Sequence, residues 1–214
     1  MNCRQPQGPI RHNSVTRALI AVGSNVSHEG NAPISVVCAA MSELVDGENA
    51  AAVFSRLYRT PAFPPGAGPD FINAALAIDW PGDALALLAR LHEIERGFGR
   101  TRRTRWEARV LDLDLIALGE SVWPDPETQT AWRTLPADVA ARKAPETLVL
   151  PHPRLAERIF VLAPLADIAP EWRHPVTGRT VREMLNALPQ ADHDAIEVVE
   201  PPAGALPFPP LSYK

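Results

Sequence analysis

The run Arg109-Val110-Leu111-Asp112-Leu113-Asp114-Leu115 constrains the fold of this chain more than any other stretch. Successive side chains of a strand point to opposite faces, so Leu111, Leu113 and Leu115 share one side and Asp112 and Asp114 the other. One face must enter a core while two carboxylates, about 6–7 Å apart by strand rise, stand together on the other. Asp is depleted in strands, and like charges this close disfavour each other unless a cation lies beside them. Paired hard oxygen ligands suit Mg2+, which keeps its remaining positions for water and substrate phosphates. A solvent-facing strand with Asp at its polar positions fits the same pattern, and Asp-x-Asp pairs also serve glycosyltransferases and nucleases.

Immediately upstream, Arg100, Arg102, Arg103, Arg105 and Arg109 fall within ten residues, interrupted by Trp106. In isolation such a run reads as a solvated basic loop. Beside a two-Asp strand it reads as a phosphate clamp, because forked guanidinium groups hold phosphate oxygens bidentately. Trp106 offers a flat face to a heteroaromatic ring, or anchors the loop. Lysine occurs only at Lys143 and Lys214, so there is neither a Gly-x-x-x-x-Gly-Lys loop nor a kinase-type strand lysine. If the chain binds ATP, arginines hold the phosphates. Two further polar residues stand out. His152 lies between Pro151 and Pro153, and Asn73 is an amide in an apolar strand that must find partners.

Arg17–Gly23 reads as a buried strand, followed by a helix from about Asn31 with Pro33 in its first turn. Ala52–Thr60 and Phe71–Trp80 read as strands, separated by a Pro- and Gly-rich segment. Asp83 is placed to cap a helix whose stripe is Leu87, Leu88, Leu91, Ile94 and Phe98. The strand Arg109–Leu118 follows the arginine loop. Asp125–Ala144 reads as an inserted helix bounded by prolines, within an insertion of about residues 124–146, peripheral to any chemistry. Leu148–Leu150 reads as a short strand, and Ile159–Ile168 and Val181–Leu188 as helices. Residues 1–16 are expected to form a loose tail, 17–188 a single domain, and 189–214 a Pro-rich mobile tail. This succession predicts an α+β fold, with helices packed on a mostly antiparallel sheet.

The 214 residues carry a net charge of −4, which argues against a general nucleic-acid binder. No apolar run approaches the roughly 20 residues needed to cross a bilayer, and the opening stretch has no apolar segment after its basic residues. Cys3 and Cys38 make no disulfide framework or metal knuckle. A cytoplasmic enzyme with no membrane or nucleic-acid partner is expected.

In order along the chain, Val22-Gly23-Ser24-Asn25, Tyr58-Arg59-Thr60-Pro61, Asp70-Phe71-Ile72-Asn73-Ala74, Glu95, Gly99-Arg100, Arg105-Trp106, Arg109, Leu111-Asp112-Leu113-Asp114, Pro151-His152 and Arg158-Ile159-Phe160 resemble the 6-hydroxymethyl-7,8-dihydropterin pyrophosphokinase family. The resemblance implies a three-layer α/β/α domain related to the ferredoxin-like fold. It also implies transfer of the β,γ-diphosphate of ATP to a pterin hydroxymethyl group, with two Mg2+, in folate biosynthesis. A monomer is expected. By that resemblance Asp112 and Asp114 ligate the metals, and Arg100 and Arg109 clamp the phosphates. Glu95, Arg102, Trp106, His152 and Arg158 lie near ATP. Thr60, Pro61, Phe71, Asn73, Trp106 and Phe160 form the pterin slot, with Phe71 and Phe160 sandwiching the ring.

Three departures from the family pattern stand out. Glu107-Ala108 replaces a usual Gly-Pro, Phe63-Pro64-Pro65 stands where Leu-Gly is common, and Thr147 replaces a basic nucleotide contact. A ferredoxin-like binding module without catalysis is the non-enzyme alternative. Retention of Asp112, Asp114 and Arg100 counts against it.

Overall fold

A computed structural model describes residues 15–45, 52–62, 68–99, 110–140 and 142–201. Strand β1 (Thr16–Ser24) is apolar almost throughout because both of its faces are covered. Ala18, Ile20 and Val22 enter one core cluster, and Leu19 and Ala21 a second on the opposite side of the sheet. Strand β4 (Phe71–Trp80) pairs antiparallel with the whole length of β1 and is buried on both faces in the same way.

Helices α1 (Pro33–Val45) and α2 (Ala84–Gly97) cover the first face. The stripe read from the sequence holds in α2, where Leu87, Leu91 and Ile94 are fully buried. Asp83 caps α2 as expected, accepting from the Ala86 N–H at 2.7 Å. Helices α5 (Ile159–Ile168) and α6 (Val181–Asn186) cover the second face, giving three layers. Ala21, Ala75, Ala77 and Ala117 line the sheet there. Their small side chains let α5 lie close to the strands.

Strand β5 (Asp112–Leu118) lies at one end of the sheet, and β1 is its only partner in the strand order β5-β1-β4-β3-β6. Its register with β1 slips between Ile20↔Leu115 and Leu19↔Ala117, leaving Ile116 as an extra residue. This bulge turns both Ile116 and Ala117 toward α5, after leucines at 113 and 115 that face α1 and α2.

Four expected elements differ. The strand expected over Ala52–Thr60 is divided into β2 (Val53–Phe54) and β3 (Leu57–Thr60). Between them the Ser55 side chain replaces a ladder partner, its Oγ accepting from the Ala75 N–H at 2.8 Å. The single helix expected over Asp125–Ala144 is two, α3 (Pro126–Arg133) and α4 (Ala137–Ala140). Pro136 lacks an N–H to continue the first and biases Leu135 away from the helical region. Leu148–Leu150 contributes only a bridge, Trp123↔Leu150.

Finally, ordered structure continues past residue 188, where a mobile tail was expected. Helix α7 (Gln190–Asp194) leads into β6 (Glu197–Val199), which pairs with β3 and is held by an Arg59–Glu197 ion pair at 3.1 Å. Three residues of edge strand are too few to show a period in sequence.

Candidate active site

Residues directly opposite in an antiparallel pair share a face of the sheet. The register places Asp112 opposite Gly23, Gly23 opposite Asn73, and Asn73 opposite Tyr58; one step along, Asp114 faces Ala21. The two carboxylates therefore lie on the α5 side, in one row with Asn73 and separated from it only by a glycine. With strands about 4.8 Å apart, Asp112 and Asn73 are roughly 10 Å from each other across that row. A Cβ at Gly23 would come within 3.1 Å of Asn73 Oδ1, so a larger residue would press on the amide and fill the space between the two functions. The alternation expected from the sequence is observed: Asp112 and Asp114 are half-buried while Leu111, Leu113 and Leu115 are in the core.

Glu95, expected among the nucleotide contacts, borders the cavity from the last turns of α2. It is 1% exposed, and its Oε1 accepts from the Leu113 backbone N–H at 2.9 Å. Leu113 stands between the two aspartates, so Glu95 fixes the outer edge of the strand that presents them.

A cavity of about 330 Å3 opens over Asp112 and Asp114 and is bordered also by His152 and Arg158. Leu88, Leu148 and Val149 supply an apolar portion of its wall. The His152 backbone N–H donates to Ile116 O at 2.8 Å, tying it to the bulge of β5. Its Nδ1 accepts from the Arg154 N–H at 3.1 Å, which puts the proton of the neutral ring on Nε2. Burial, and next the charge of Arg158, push the imidazole down to about 3, so His152 is neutral near pH 7. Arg158 Nη1 lies 4.0 Å from Asp114 Oδ2, and the same guanidinium sits 5.6 Å from the centre of the Phe160 ring. One arginine thus links the carboxylate pair to an aromatic residue expected at the pterin.

The inserted segment, expected to be peripheral to the chemistry, reaches the cavity wall. Trp132 of α3 and Lys143, just beyond α4, border the same cavity. Neither residue was singled out for the site from sequence. The available signal was that Lys143 is one of two lysines in a chain rich in arginine.

Beyond Gly23, Asn73 Nδ2 donates to Thr60 Oγ1 at 2.9 Å, and both residues are buried. Phe71 lies opposite Thr60 in the sheet and is half-buried. Thr60, Phe71 and Asn73 thus form one patch at the ends of β3 and β4, with Pro61 exposed next to it. Phe160 is half-buried in the first turn of α5 and packs partly against the second core cluster. Arg100, Arg102, Trp106 and Arg109 lie outside the described residues.

Residues 19–170 match the model of the 7,8-dihydro-6-hydroxymethylpterin-pyrophosphokinase (HPPK) family. The chain belongs to this family. A 2-amino-4-hydroxy-6-hydroxymethyldihydropteridine pyrophosphokinase of Methylorubrum extorquens is 35% identical over 187 residues, covering 87% of this chain and 100% of that protein. One of the same name from Pseudomonas aeruginosa is 34% identical over 175 residues, 82% of this chain and 93% of its own. The wild-type HPPK-DHPS structure of Plasmodium falciparum matches with a TM-score of 0.55 at 14% identity over 82% of this chain. This HPPK-family chain spans 45% of that longer protein, and at that identity the likeness concerns the fold.

The chemistry of the site fits a hard divalent cation. Among the described residues no cluster of three or more His, Cys, Asp and Glu gathers for a metal. The carboxylate pair is the arrangement in which Mg2+ draws its other ligands from water and from substrate phosphates. His152, neutral and with its proton on Nε2, offers a hydrogen-bond donor at that nitrogen.

Proposed function

We propose that this chain transfers the pyrophosphoryl group of ATP to 6-hydroxymethyl-7,8-dihydropterin, forming AMP and the pterin diphosphate on the route to folate, in a Mg2+-dependent reaction. The observation that carries this reading is the row Asp112-Gly23-Asn73, which sets a carboxylate pair suited to metal and phosphate beside an amide suited to a pterin edge. Family membership supports it.

Asp112 and Asp114 are the residues that would hold two Mg2+. When bound, these ions neutralise charge on the triphosphate and on the departing α-phosphate. The chain's own groups supply the rest. Arg158 and the Nε2–H of His152 bind phosphate oxygens from the cavity wall, and the family resemblance adds Arg100, Arg102 and Arg109 as further phosphate ligands. Asn73, its amide oriented by Thr60, reads the donor and acceptor edge of the pterin. Phe71 and Phe160 flank the ring, with Pro61 and Trp106 completing the slot. Glu95 holds β5 in place.

In the transfer, the pterin hydroxymethyl oxygen forms a bond to the β-phosphorus. The bond from that phosphorus to the α,β-bridging oxygen breaks, AMP leaves with that oxygen, and the hydroxyl proton passes to solvent. Positioning and charge neutralisation lower the barrier. The reading includes a monomer working in the cytoplasm. Among the described residues no helix is long and apolar enough to cross a membrane.

The test uses ATP labelled separately at the α and γ positions, with Mg2+ and the reduced pterin. Recovery of the α-label in AMP and the γ-label on the pterin is expected. An α-label in ADP would mark a simple kinase. Binding of the pterin without movement of either label would mark a binding module.

A further inference from the structure

The excursion that carries α3 and α4 begins and ends at one bridge, Trp123↔Leu150. The Trp123 N–H donates to Leu150 O and the Leu150 N–H to Trp123 O, both at 2.9 Å, closing the neck of the excursion immediately before Pro151-His152. Inside it, the fully buried Gln129 of α3 donates from Nε2 to Pro151 O at 3.2 Å. The insertion is therefore fastened to the backbone that carries His152. From that anchor it extends along the cavity, where Trp132 and Lys143 face a space also bordered by Asp112, Asp114 and Arg158.

Lys143 is built differently from the other cations of this wall. Its backbone N–H donates to Val139 O at 3.0 Å, ending α4, and its side chain is exposed. Arg158 has Asp114 within 4.0 Å and Arg154 is bound to Glu157 at 2.6 Å. No carboxylate of the described residues is paired with the Lys143 ammonium. An exposed ammonium on the wall of a cavity that two aspartates also line is placed for an anion that arrives with its own cations. Trp132 supplies a large apolar surface on the same wall.

We propose that the insertion is a working part of the nucleotide site, in which the Lys143 ammonium pairs with the phosphate chain of ATP and Trp132 packs against the nucleoside. This rests on the pyrophosphokinase reading and adds to it two residues that only this excursion brings to the cavity. A charge-assisted contact of this kind is strong enough to change affinity measurably, and it weakens with salt because Lys143 is exposed.

The experiment is calorimetric titration of the full chain with Mg2+ and α,β-methylene ATP, and separately with adenosine. Lys143→Ala is expected to weaken the triphosphate about tenfold and adenosine less than about twofold, with Lys143→Glu weaker still and Lys143→Arg restoring most of the loss. Trp132→Ala is expected to weaken both ligands alike. Raising salt should narrow the gap between the parent and Lys143→Ala. Triphosphate affinity within about twofold of the parent in both Lys143→Ala and Lys143→Glu would overturn the role of Lys143, as would an equal loss for adenosine. The parent is assayed in parallel for AMP release. An active parent with insensitive variants sinks this inference alone, whereas a parent that neither binds the analogue nor releases AMP sinks the pyrophosphokinase reading with it.

Discussion

Glu95→Ala tests how the carboxylate pair is held. Strand β5 is at the end of the sheet, so among the described residues the Leu113 N–H, which points away from β1, has no strand to donate to. Glu95 Oε1 accepts it at 2.9 Å from a side chain that is 1% exposed. Loss of this hydrogen bond leaves a buried backbone donor unsatisfied, which costs about 1–3 kcal/mol. Together with the apolar contact of the removed side chain, at about 0.8 kcal/mol per methylene, Glu95→Ala should destabilise the fold by about 2–4 kcal/mol. The second effect is catalytic. Leu113 lies between Asp112 and Asp114, so freeing its backbone loosens both, and a misplacement on the order of 1 Å can cost about a hundredfold in rate. Glu95→Gln keeps a carbonyl oxygen for the same N–H and should lose less on both counts. Urea unfolding followed by Trp fluorescence, with kcat at saturating substrates, measures the two effects. If Glu95→Ala unfolded at the parent's urea midpoint and kept the parent's kcat, the positioning role would be wrong.

Asp112→Asn and Asp114→Asn should each abolish turnover while leaving the melting temperature within a few degrees, because both side chains are half-buried on the site face and not in the core; near-normal rates at saturating Mg2+ would refute this. Gly23→Val should raise KM for the pterin about tenfold or more, since even a Cβ there comes within 3.1 Å of Asn73 Oδ1, and an unchanged KM would mean the gap between Asp112 and Asn73 is not used. His174, buried and accepting at Nδ1 from the Val176 N–H, is pushed down to about 4 by burial and next by the charge of Arg133. The unfolded chain therefore takes up this proton first, so the associated stability is complete above about pH 6.5 and is lost as pH falls toward 4. His174→Asn should reduce the pH dependence of urea unfolding in that window by up to about 1.4 kcal/mol per pH unit, and an unaltered slope would count against the assignment.

Much of the fold was legible because it is written in neighbouring residues. The Leu/Asp alternation of 111–115 announced β5 and its two faces, and the spacing from Leu87 to Ile94, with Asp83 before it, announced α2 and its cap. The arginine-rich loop, His152, Asn73 and the aspartates could be named as candidates from residue type alone. What sequence could not supply was register. That Gly23 stands between Asp112 and Asn73, that Leu113 donates to Glu95, and that Trp123 meets Leu150 to close the insertion all depend on which strands and segments pair. Lys143 illustrates the difference most sharply. In sequence it sits near the end of a segment that reads as an inserted helix and so as periphery, and only the closed neck and the buried Gln129 bring it to the cavity. Periodicity and capping are local consequences of backbone geometry and so are recorded in consecutive residues. Contacts between distant segments are fixed by the packing of the whole chain, and no single stretch carries their signature.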